Sequence, residues 1–111
     1  PNLEGHWLYS DGNGQVESVQ NGSIVTWYVT WLPSASSFQR PHYKISFKID
    51  KDSQSLKGTW MSLMDGRVGT GEFTGRLVGE NKIIREPDKS GTKGFGFEHA
   101  GQYFRELQDK R

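Results

Sequence analysis

The sequence predicts an all-β domain: an antiparallel up-and-down meander of about eight strands that closes into a small barrel. Two turn signals, Asn21-Gly22 and Asp65-Gly66, divide the chain into short segments. Tyr43, Ile45, Phe47 and Ile49 alternate with Lys44, Ser46, Lys48 and Asp50, the period of a half-buried strand. Outside the C-terminal tail no long segment carries helical periodicity.

Taken in order, Gly5 to Ser10 reads as the first strand and Asp11-Gly12-Asn13-Gly14 as the turn that follows. Gln15 to Gln20 and Ser23 to Leu32 are the next two strands, joined through Asn21-Gly22, a pair that tolerates φ > 0 at both central positions of a type I′ turn. The connection Pro33 to Pro41 is the longest between these strands, and with Phe38 and Arg40 between two prolines it suits a binding lid or an ordinary link equally. Tyr43 to Ile49 is the fourth strand. Lys51-Asp52-Ser53-Gln54 turns into Leu56 to Leu63, Asp65-Gly66 into Val68 to Val78, and Gly79-Glu80-Asn81 into Lys82 to Arg85. After Pro87, Asp88 to Thr92 reads as a loop and Gly94 to His99 as a further strand. Gln102 to Lys110 suits a last strand through Tyr103 and Arg105, or a short helix through Phe104 and Leu107. Short links let sequence neighbours pair, and closure leaves no unpaired edge.

The 111 residues support one domain, spanning 1–111. Only 32% of them are hydrophobic, so the core depends on the large area that each of four Trp, four Tyr and six Phe buries. The absence of cysteine excludes a disulfide scaffold and thiolate metal sites. His6, His42 and His99 are too scattered for a sequence-local metal motif, so neither metal nor cofactor is expected. A net charge of +1 gives no general attraction to nucleic acid or anionic membrane. No apolar run approaches the ~20 residues of a membrane span, and the first residues lack a signal-peptide pattern. The compartment stays open.

Trp27 and Trp31 lie on one face of their strand with Val25 and Val29, while Ile24, Thr26, Tyr28, Thr30 and Leu32 form the other face. Both faces are partly apolar, which predicts a cover on each. Gly69, Gly71 and Gly75 alternate with polar residues on a later strand, leaving space for an aromatic ring or a ligand to approach the backbone. Lys93-Gly94-Phe95-Gly96-Phe97 matches the first part of the RNA-binding RNP1 signature. Glu98 and Ala100 then break the pattern, and no nucleic-acid partner is expected.

Gly5-His6-Trp7 and Gly58-Thr59-Trp60 repeat a Gly-x-Trp spacing, each preceded by a leucine nearby. In a barrel such a glycine permits sharp coiling while the indole plugs one end and requires a partner for its N–H. Leu3-Glu4-Gly5-His6-Trp7 resembles the opening of the calycin group, lipocalins and avidins, and Gly71-Glu72-Phe73-Thr74-Gly75 is similar to a strand of an avidin-type barrel. The resemblance covers about a dozen residues and implies a barrel with a lumen; no ligand contacts carry over.

The residues favour a non-enzymatic small-ligand binder. Trp27, Trp31 and Trp60 with Tyr43 and Phe47 would face an apolar, ring-shaped or sugar ligand, and Arg40 and His42 would supply polarity at the rim. The same tryptophans also suit a purely structural core. Alternatives are a lectin or protein-interaction module with a surface aromatic patch, and a barrel isomerase or cyclase using His and Asp/Glu. No catalytic residue has a signature here, and self-association is left open.

Overall fold

The computed structural model describes residues 1–31 and 40–107. Eight antiparallel strands close into one barrel: β1 (Gly5–Tyr9), β2 (Gly14–Asn21), β3 (Ile24–Trp31), β4 (Tyr43–Ile49), β5 (Ser55–Ser62), β6 (Thr70–Val78), β7 (Lys82–Arg85) and β8 (Gly101–Arg105). Each strand pairs with its sequence neighbours, and β8 returns to β1 with Trp7 opposite Arg105 and Tyr9 opposite Tyr103. The described residues contain no helix. The all-β meander is therefore the observed fold.

Alternation puts Val25, Trp27 and Val29 of β3, Ile45 and Phe47 of β4, Leu56 and Trp60 of β5, and Phe73 and Leu77 of β6 into the interior. That interior is filled chiefly by rings. Trp27 meets Phe47 edge-on at 5.2 Å and Tyr103 at 4.8 Å, and Phe47 stacks on Phe73 at 5.4 Å between centroids. Each buried indole has a partner for its N–H: Trp7 donates to the Leu3 carbonyl, Trp27 to the Ser18 hydroxyl and Trp60 to the Asp88 carboxylate.

The two ends of the barrel differ. One carries the short turns after β2, β4 and β6 and is plugged by Leu3 and Trp7, both fully buried. There the Arg105 guanidinium lies 4.7 Å over the Trp7 ring and donates to the carbonyls of Asn2, Glu4 and Glu80. The other end carries the connections after β1, β3, β5 and β7, which include the three longest.

Three expectations need correction. Gly94–His99 is not a strand: Gly94 and Gly96 both have φ of +93°, which breaks extended backbone, and the Glu98 carboxylate accepts their two N–H groups. The eighth strand is instead Gly101–Arg105, so the helical alternative fails over the described part of the tail; residues 108–110 lie outside the described residues. Nor is β3 covered on its outer side by the described residues. Ile24 is 46% exposed, and Thr26, Tyr28 and Thr30 are partly so, because a single sheet closed on itself has only one inside. The β2–β3 turn also falls one residue late, at Gly22-Ser23, with Gly22 at φ +63° as the first central residue, as in a type II′ hairpin. The lid expected within Pro33 to Pro41 falls mainly on residues 32–39, outside the described residues.

Candidate functional site

The long-connection end holds a cavity of about 80 Å³. Strand ends supply most of its wall: Tyr9 closes β1, Val29 and Trp31 close β3, Tyr43 opens β4, and Arg85 closes β7. Tyr103 of β8 forms part of the floor. The β7–β8 connection completes the wall by turning Phe95 and Phe97 into the barrel mouth. Phe97 stacks on Trp60 at 4.3 Å and 13°, and Phe95 packs at 5.4 Å from the same indole.

Glycines create the space for this arrangement. A Cβ at Gly69 would collide with the Phe95 ring, and one at Gly71 with the Asp88 carboxylate and the Trp60 nitrogen. The alternating glycines expected to admit a ring or a ligand thus admit Phe95 and Asp88 from the same chain. Gly101 does the same for Tyr9 and Arg85, since its Cβ would lie 2.7 Å from the Tyr9 hydroxyl and 3.0 Å from the guanidinium carbon.

Asp88 anchors the connection. It is 6% exposed, and its Oδ2 accepts from the Trp60 indole at 2.9 Å and the Glu72 N–H at 3.1 Å. Oδ1 accepts from the Ser90 and Gly91 N–H groups and the Ser90 hydroxyl. Burial alone would raise its pKa, but the Trp60 indole and the backbone donors together outweigh burial and hold the carboxyl below its ordinary range.

Arg85 is the polar centre of the cavity and is only 5% exposed. Its Nε and Nη2 donate to the His99 carbonyl, Nη2 also to the Gly96 carbonyl, and Nη1 to the Tyr103 hydroxyl at 2.6 Å. The Phe97 ring lies 4.9 Å from the guanidinium carbon, with Tyr9 and Tyr103 at 5.6 and 5.8 Å. Burial pushes the Tyr103 phenol up to about 12, opposed by the adjacent Arg85 charge. A raised phenol pKa favours the folded state while the unfolded phenol is still protonated. Its contribution should be complete below pH 10 and lost as pH rises through 12, on the order of 2 kcal/mol, which alkaline denaturation of the parent against Tyr103→Phe would measure.

Of the residues singled out in the sequence, Trp31 and Tyr43 line this cavity. Trp27, Phe47 and Trp60 lie deeper, at 0%, 2% and 0% exposure, packed against other rings. His42 stands behind the wall: its Nδ1 accepts the Trp31 backbone N–H at 3.0 Å, fixing the end of β3. Arg40 is exposed where the described chain resumes. The sequence reading missed Tyr9, Arg85, Phe95, Phe97 and Tyr103. Gly94 and Gly96 signalled that Phe95 and Phe97 belong to a turn. Arg85 carried a weak signal, because both faces of Lys82-Ile83-Ile84-Arg85 pair one charge with one isoleucine.

Among the described residues no group of three His, Asp or Glu side chains is placed to hold a metal ion. No protein-family model matches the chain, and no curated protein or solved structure matches it either.

Proposed function

We propose that this chain is a non-enzymatic, calycin-type barrel that binds a small ligand at its aromatic mouth. The observation that carries this reading is the cavity above a filled aromatic core, walled by Trp31, Tyr43 and Phe95. Rings held by β-strands offer apolar area at little conformational cost. At about 80 Å³ the cavity is smaller than the ~150 Å³ void that encloses benzene, so a ligand inserts one end and lays the remainder against the mouth.

Binding rather than catalysis is supported by the lining, whose described polar side chains are Arg85 and two kinds of ring group, tyrosine hydroxyls and the Trp31 indole. Among the described residues no carboxylate or imidazole lines it to serve as a general base. A lectin-type platform is disfavoured because Trp7, Trp27 and Trp60 are fully buried and unavailable to stack on a surface sugar.

Titration with phenol and indole, followed by calorimetry, tests the reading. A saturable change is expected in the parent, with at least tenfold weaker binding in a folded Trp31→Ala variant. No saturable change with either probe at millimolar concentration overturns it.

A further inference from the structure

We propose that Arg85 makes the mouth an organic-acid site, taking a monocarboxylate whose charged end sits against the guanidinium and whose apolar body lies between Trp31, Tyr43 and Phe95. This deepens the binding function proposed above and rests on it. Three observations support the assignment.

The first is charge. A guanidinium has five N–H donors, and the four bonds made by Arg85 all go to neutral acceptors, two backbone carbonyls and a phenol. Among the described residues no carboxylate forms an ion pair with it. A buried cation without a counter-ion is costly, and neighbouring rings offset that only in part.

The second is direction. Nε and Nη2 are tied to the connection carbonyls of Gly96 and His99, whereas Nη1 reaches Tyr103 and retains one N–H without a partner among the described residues. The Tyr103 hydroxyl accepts from Arg85 and so keeps its own proton to donate. Two donors beside each other on the wall and floor of one cavity match the two oxygens of a carboxylate.

The third is size. About 80 Å³ holds a carboxylate and the carbon or two behind it, and the rest of the molecule must emerge past the aromatic rim. If the arginine only pinned the Gly94–His99 turn, neutral and acidic ligands would bind equally.

The discriminating experiment compares phenylacetate with phenylacetamide, which has the same shape without the charge, by calorimetry on the parent chain at neutral pH. Phenylacetate should bind at least tenfold more tightly, and the preference should vanish in Arg85→Met. Should that variant fail to fold, the ¹⁵Nε resonance of Arg85 in the parent decides, shifting with phenylacetate and not with phenylacetamide. Equal affinities, or an unmoved Arg85 resonance, overturn the carboxylate assignment and leave the small-ligand function standing. Absence of binding by both compounds and by phenol and indole removes the binding function itself, and the carboxylate assignment with it.

Discussion

Trp27→Ala is expected to cost roughly 3–5 kcal/mol, against a total of about 5–15 kcal/mol for a domain of this kind. The side chain is fully buried and touches the rings of Trp7, Phe47, Phe73 and Tyr103, contributed by five different strands when its own is included. Its removal opens a void at the barrel centre that the backbone of a closed sheet resists filling. It also strips the Ser18 hydroxyl, 4% exposed, of its indole donor. Trp31→Ala should behave differently. That indole is partly exposed at the mouth, so a loss on the order of 1 kcal/mol is expected and the barrel should remain folded. Urea denaturation measures both. Equal losses in the two variants would contradict the division between a sealed core and an accessible rim.

The second large effect is expected at Asp88, where Asn should be nearly as damaging as Ala. Both carboxylate oxygens accept: Oδ2 faces the Trp60 and Glu72 N–H groups, and Oδ1 faces those of Ser90 and Gly91. In Asp88→Asn, whichever way the amide turns, its NH₂ points at two donors. A loss of roughly 3 kcal/mol is expected, since buried donors stranded without partners cost about 1–3 kcal/mol each. Phe95 and Phe97 should detach from Trp60 together, readable as a red shift of tryptophan emission. The same carboxylate should make the fold acid-sensitive. Its folded pKa lies below the ordinary value of 3.8, so its stabilisation is present above pH 3.8 and disappears as pH falls through the folded value. Acid denaturation of the parent should show this loss, and Asp88→Asn should lack it.

How much of this was legible in the sequence depended on whether a feature was local. Alternation around Tyr43–Ile49 and glycine-marked turns identify strands because the relevant physics spans a few residues. The same reasoning failed at Gly94–His99, where phenylalanines alternating with glycines imitate a strand, while positive φ at both glycines converts the segment into a turn carrying two rings. Trp27, Trp31, Trp60, Tyr43 and Phe47 all lie on the inner face. Depth along the barrel axis was not legible, because it depends on register between strands. Trp31 lies opposite Gly14 at the mouth, whereas Trp27 lies opposite Ser18 and Ile45 in the middle. Arg85 was hidden for a related reason. Its neighbours are carbonyls of Gly96 and His99 and the hydroxyl of Tyr103, groups that come together only when β7, β8 and their connection are in place.

The seam between β1 and β8 differs from the other pairings in the sequence separation it bridges. The other seven pairings join strands consecutive along the chain, but the bond from Arg105 to the Asn2 carbonyl spans 103 positions. Closing the seam therefore carries the largest single loop-closure penalty in the sheet. Without it the sheet would have two unpaired margins, one bearing Trp7 and the other Tyr103 and Phe104. Closure of the seam thus covers the two strand edges that would otherwise be open to pairing with another copy.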